Sequence, residues 1–273
     1  MTVVTEHESF SGSWALILGV SSGFGAAVAL ELARRGMNIF GVHLDRSSTL
    51  PRAEALAAEI QGMGRQVQFF NTNAASEGKR AEVLDAIQAR LAGAGNGRKV
   101  RVLLHSLAFG SMGAFVADDA KQALKQSQVE MTLDVMANSL VYWTRDLVGR
   151  DLLETNSRIF AMTSSGSHRI WAGYGAVSAA KACLESHVRQ LAVELATRGV
   201  TVNAVRAGVT DTPAARVIPG FDKMAHEAAT RNPMGRMTRP EDVAATIGAL
   251  CDPGTYWLTG NVLGVDGGED NIG

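Results

Sequence analysis

Cysteine is nearly absent, with Cys183 and Cys251 the two in 273 residues. They lie far apart in apolar helical patterns, which argues against a disulfide framework and fits buried thiols in a reducing compartment. No block of like charge occurs either: 26 basic residues nearly cancel 27 acidic ones. A nucleic-acid or membrane-surface binder concentrates positive charge, so a small-molecule partner is expected, with no nucleic acid and no membrane. No run is apolar for the length of a bilayer. The start, MTVVTEHESFSGS, carries Glu6 and Glu8 where a secretory leader is basic and then apolar, so a cytoplasmic protein is expected. Fixed-period repeats, low-complexity tracts and a metal-ligand pattern are also missing.

What the chain has is alternation. Short β-type runs (WALILG, NIFGVHL, VQFFNTN, VRVLLHS, RIFAMTSS, VTVNAVRAG, NVLGVDGG) are separated by helical patterns near residues 25–35, 53–62, 79–91, 131–145, 177–195 and 241–250. Parallel strands need crossover connections, so about seven strands in such a series predict an α/β fold with a doubly wound parallel sheet covered by helices on both faces. One domain over 12–273 is expected after a tail at 1–11. Ligands of such sheets bind beyond the carboxyl ends of the strands, where the winding reverses.

The first strand runs into GVSSGFG, with Gly19, Gly23 and Gly25 at the turn and Ser21, Ser22 and Phe24 between them. Glycine permits close backbone approach, and the following helix offers unpaired amides and a positive dipole end to a pyrophosphate. A tight β-to-α connection is the competing account of the same glycines. Asn73 and Ala74 follow the third strand, HSLAFG (Ser106, Leu107, Ala108) the fourth, NAVRAGVTDT (Ala207, Gly208, Val209, Thr212) the sixth, and LTGNVLGVDGG closes the chain. Taken in this order over 12–268, the motifs resemble the short-chain dehydrogenase/reductase superfamily. The resemblance implies a Rossmann-type fold, a nicotinamide cofactor held by these residues, and a homotetramer.

In that family the end of the second strand selects the cofactor, an acidic residue accepting the ribose hydroxyls of NAD and basic residues the extra phosphate of NADP. The key place falls on His43, followed by Asp45 and Arg46. The missing acid at 43 and the presence of Arg46 favour NADPH; NADH is the alternative if Asp45 turns inward.

A second constellation is Tyr174 and Lys181. Lys181 shares a helix face with Val177, Leu184, Val188, Leu191 and Leu195, where a lysine has no packing rationale without a partner. Ordinary family members place tyrosine four residues before the lysine, a place held here by Val177. The seven-residue step resembles the divergent enoyl-acyl carrier protein reductases, as do HSLAFG and RAGVTDT in place of the usual motifs. The branch implies reduction of the trans-2 double bond of acyl thioesters carried on acyl carrier protein or coenzyme A. It assigns Tyr174 to the thioester oxygen, and Lys181 to the nicotinamide ribose and to favouring ionisation of the tyrosine. Ser164, seventeen residues before Lys181, is expected to assist Tyr174. The family's helix-four asparagine falls at Met136, with Asn138 out of register, and His105 reads as a hydrogen-bonded structural histidine. Phe109, Trp171 and a lid at 213–237 are expected to line an acyl pocket. A carbonyl reductase using Ser164, Tyr174 and Lys181, and a non-catalytic nucleotide sensor, are the competing readings.

Overall fold

The computed structural model describes residues 10–94 and 97–272. Of the expected tail, residues 1–9 lie outside the described residues, and Phe10 is buried beneath the Arg101 guanidinium.

Seven parallel strands form one sheet in the order β3-β2-β1-β4-β5-β6-β7. In chain order the elements are β1 (Trp14–Leu18), α1 (Gly23–Arg34), β2 (Asn38–His43), α2 (Leu50–Gly62), β3 (Val67–Asn71), α3 (Glu77–Gly93) and β4 (Val100–His105). There follow α4 (Gln126–Leu133), α5 (Ser139–Gly149), β5 (Leu153–Ser164), α6 (Gly175–Glu194), β6 (Thr201–Ala207), α7 (Phe221–Arg231), α8 (Pro240–Leu250) and β7 (Val262–Val265). This is the Rossmann-type arrangement expected from the alternation.

The continuous burial of β1 follows from helices on both faces of the sheet. Successive side chains point to opposite faces, so Trp14, Leu16 and Leu18 meet α3, α5 and α6, while Ala15 and Ile17 meet α1, α2 and α8. Leu184, Val188 and Leu191 repeat at helical spacing and dock α6 on the first of these cores, each burial stabilising by roughly 1.5–3 kcal/mol.

The winding reverses between β1 and β4, which pair from Trp14↔Val100 to Leu18↔His105. Their carboxyl ends therefore open a crevice whose walls are the turns after β1, β4, β5 and β6. The single long helix expected over 131–145 is instead α4 and α5 joined by a π-helical turn at Asp134–Asn138. Such turns displace side chains from helical register, which no hydrophobic period reveals.

Candidate active site

The β1–α1 turn is fixed by sterics. Gly19 has φ +88°, and a Cβ there would lie 2.4 Å from the Ser106 carbonyl oxygen; one at Gly25 would lie 2.0 Å from that of Gly19. Only glycine lets the turn approach β4 and start the helix so tightly. Ser22 is extended just before α1, so the first amides of that helix, through Phe24 and Gly25, point out of its N-terminus toward the crevice, while a Cβ added at Gly23 would lie 3.3 Å from the Thr212 methyl group. This suits a pyrophosphate.

At the end of β2, His43 is buried and its Nδ1 meets Asp45 Oδ2 at 2.8 Å. Burial pushes the Asp45 carboxyl up, but hydrogen bonds with Thr49, Ser21 and His43 outweigh it and leave the group below the usual carboxylate range. Asp45 is thus turned inward toward the β1–α1 turn, and Arg46 is exposed. After β3, Asn73 uses its side chain locally, accepting from the Ala75 amide at 3.0 Å, and buried Ala74 accepts from Trp143 Nε1.

A cavity of about 530 Å³ opens at the carboxyl ends of β4, β5 and β6. Ser106, Leu107 and Ala108 line it from β4, Ser164 from β5, and Ala207, Gly208, Val209 and Thr212 from β6, with Phe24 at its edge. Trp171, Tyr174 and Lys181 also face it. Phe109 does not, contrary to expectation. It is 65% exposed, because the chain turns outward after Ala108 and the wall is continued by Gly110 and Met112. The expected lid segment forms the outer wall through α7 and the turns before it, and Trp171 Nε1 donates to the Pro219 carbonyl at 3.2 Å.

Tyr174 caps α6 from outside, following Gly173 at φ +73°. Its ring lies against Gly166, where an added Cβ would be 2.7 Å from Tyr174 Cε1 and 3.2 Å from Ser164 Oγ. Burial raises the phenol's pKa, and the facing Ser164 hydroxyl only partly opposes this. Ser164 Oγ is buried and has no partner in hydrogen-bonding geometry among the described residues. Burial therefore favours the protonated phenol.

Lys181 is buried, and its Nζ donates to the Met162 carbonyl at 2.6 Å. That uses one of its three protons. Burial lowers its pKa to about 8, opposed by Glu185. His105 is fully buried with Nε2 at 2.8 Å from Ser139 Oγ, and burial followed by the Lys181 charge takes its pKa down to about 3. Because Ser139 donates its own proton to the Val135 carbonyl, His105 is the Nε2–H tautomer and serves as a neutral structural group.

Where ordinary members keep tyrosine and asparagine, Val177 and Met136 stand in the cavity wall. Both converge on Gly110, where a Cβ would meet Met136 Sδ at 2.8 Å and Val177 Cγ2 at 3.2 Å. Asn138 points elsewhere, to His187 Nε2 at 3.1 Å. Motif reading missed Glu269, whose carboxylate accepts the Val209 amide proton at 3.1 and 3.2 Å and lines the cavity. A contact across 60 residues leaves no local signal.

The residues present fit a nicotinamide cofactor on two counts: a buried ammonium with protons to spare for ribose hydroxyls, and a glycine-lined helix N-terminus for the pyrophosphate. When bound, the cofactor would supply a hydride. Among the described residues no cluster of His, Cys, Asp or Glu is placed to hold a metal, and no helix is long and apolar enough to cross a membrane.

Fold and crevice define an oxidoreductase of the short-chain dehydrogenase/reductase class, which binds NAD(P)(H). Residues 19–269 match the family described as Enoyl-(Acyl carrier protein) reductase, and the chain belongs to that family. Among its relatives, 3-oxoacyl-[acyl-carrier-protein] reductase FabG of Pseudomonas aeruginosa is 30% identical over 262 residues, 95% of this chain and 98% of the relative. Enoyl-[acyl-carrier-protein] reductase [NADH] FabI of Aquifex aeolicus is 32% identical over 176 residues, 63% of each chain. The crystal structure of the Aquifex enzyme superposes with a TM-score of 0.82 at 25% identity, covering 97% of this chain and 98% of that one. Relatives thus include both ketone and double-bond reductases.

Proposed function

We propose that this protein is a nicotinamide-dependent enoyl-thioester reductase, reducing the trans-2 double bond of acyl chains carried on acyl carrier protein or coenzyme A. The observation that carries this reading is the meeting of Met136 and Val177 at Gly110. Ketone reduction produces a strongly basic alkoxide, whose proton donor needs polar neighbours to be refilled. Here the two places that serve such a relay in ordinary members are apolar. Hydride addition to an enoyl thioester instead leaves an enolate, far less basic at its oxygen, for which a fixed donor suffices while the α-carbon takes its proton from solvent.

Tyr174 then donates its phenol proton in a hydrogen bond to the thioester oxygen, and its raised pKa keeps that donor intact. Ser164 Oγ, buried and facing the Tyr174 phenol, offers a second donor to the same oxygen. Lys181 binds the ribose hydroxyls with its free protons. The apolar wall of Met112, Val217, Ile218 and Phe221 receives the acyl chain.

Asp45, facing Ser21 and bonded to His43, supports NADH over NADPH, because a carboxylate there accepts ribose hydroxyls and repels a phosphate. The sequence favoured NADPH on the missing acid at 43 and on Arg46; the inward turn of Asp45 supports its stated alternative, NADH. By the family resemblance a cytoplasmic homotetramer is expected, and sedimentation tests the assembly.

The deciding experiment follows nicotinamide absorbance with crotonyl and acetoacetyl thioesters, each with NADH and NADPH. Consumption with crotonyl thioester is expected. Turnover of acetoacetyl thioester alone would overturn the reading in favour of a ketone reductase.

A further inference from the structure

The tip of β5 carries two groups the site depends on, the Met162 carbonyl that holds Lys181 and the Ser164 hydroxyl that faces Tyr174. Between them, buried Thr163 points to the opposite face of the strand and donates from Oγ1 to Glu185 Oε1 at 2.7 Å. Glu185 stands one helical turn beyond Lys181 on α6. The two bonds, Lys181 to Met162 and Thr163 to Glu185, therefore clamp α6 to consecutive residues of one strand.

The charges around Lys181 make Glu185 distinctive. From β4 the lysine faces His105, which is neutral, and at the start of its own helix Tyr174, which is protonated. Among the described residues Glu185 is the one negative group acting on Lys181, and it does so through space, one helical turn away. A buried ammonium without a counter-charge gives up its proton readily. A carboxylate one turn away opposes that loss while leaving the ammonium's protons free for a ligand.

We propose that Glu185 is a positioning residue: through Thr163 it fixes the Met162–Ser164 tip against α6, and its charge keeps Lys181 an ammonium able to hold a cofactor ribose. The inference rests on Lys181 as the ribose-binding group and not on double-bond reduction, so its test needs no acyl substrate.

The test is the dissociation constant of NADH and of NADPH, read from cofactor fluorescence on the full chain between pH 6 and 10, for wild type, Glu185→Gln, Thr163→Val and Lys181→Met. Glutamine retains an oxygen for Thr163 and removes only the charge. Wild-type affinity is expected to fall as pH rises through about 8. Glu185→Gln moves that fall to lower pH by roughly one unit at an unchanged melting temperature. Thr163→Val weakens binding severalfold at neutral pH with the fall still at its wild-type place. Lys181→Met removes the fall. Coincident profiles for wild type and Glu185→Gln, or a fall that persists in Lys181→Met, would overturn the charge role. Wild-type affinity in Thr163→Val would overturn the clamp.

Discussion

Lys181 donates to the Met162 carbonyl at 2.6 Å, anchored to the strand that also carries Ser164. The lysine is thereby held on the sheet side of the cleft, and the Tyr174 phenol approaches from the turn before α6. The two groups line one cavity from different elements. A seven-residue step, about 10 Å of helix, is compatible with this because the tyrosine lies outside the helix.

Burying Lys181 costs stability, with a definite pH signature. Its folded pKa of about 8 lies below the ordinary 10.5, so between these values the unfolded chain binds more protons than the folded one. Unfolding free energy then rises with pH across that window. Relative to Lys181→Met, wild type is expected to gain up to about 3 kcal/mol from pH 8 to 10.5, measured by denaturant titration of the cofactor-free protein. A flat difference would show that the ammonium is better solvated than its burial implies.

Removing only the phenol oxygen tests the donor. Tyr174→Phe keeps the ring against Gly166 and deletes the hydrogen bond to developing charge, so kcat is expected to drop about 10²- to 10³-fold. Cofactor affinity and melting temperature should stay at wild-type values. Near-normal turnover would remove Tyr174 from the chemistry.

The chain's own text carries much of this. WALIL reads as a strand buried on both faces because every residue in it is apolar, and repetition of such runs between helical patterns leads to the seven-stranded sheet. The Tyr174 and Lys181 pair stands out because a lysine on an apolar face needs a partner. That partner, the Met162 carbonyl, was illegible, since every residue has a carbonyl and only packing selects one. The direction of Phe109 depends on a loop path that hydrophobicity does not encode. The upward push on the Tyr174 pKa follows from how much protein surrounds the phenol, which only the fold decides.

Gly166 offers a geometric test of the phenol's placement. Its φ is not in the left-handed region, so alanine is conformationally acceptable, but the new methyl would come within 2.7 Å of Tyr174 Cε1 and 3.1 Å of Cδ1. The ring must shift. A displacement near 1 Å is expected to lower kcat by about 10²-fold, because a donor out of line forfeits much of its stabilisation of the transition state. Cofactor affinity reports on Lys181 and should hold, and a melting curve checks the fold. Unchanged kcat would mean that the phenol's present position is not the working one.

Asp45 provides the test of cofactor choice. Its carboxylate meets His43 at 2.8 Å and faces Ser21, so it stands beside the glycine-rich β1–α1 turn proposed to hold the cofactor, with exposed Arg46 next in sequence. In wild type the kcat/KM ratio should favour NADH, since a 2′-phosphate would be forced against this charge. Asp45→Ala removes the repulsion and leaves Arg46 available, shifting the ratio toward NADPH on the order of tenfold or more. The shift should shrink at high salt, because screening weakens both the repulsion by Asp45 and the attraction by Arg46. A wild-type preference for NADPH, unmoved by Asp45→Ala, would assign the phosphate to Arg46 and leave Asp45 as a partner of His43 alone.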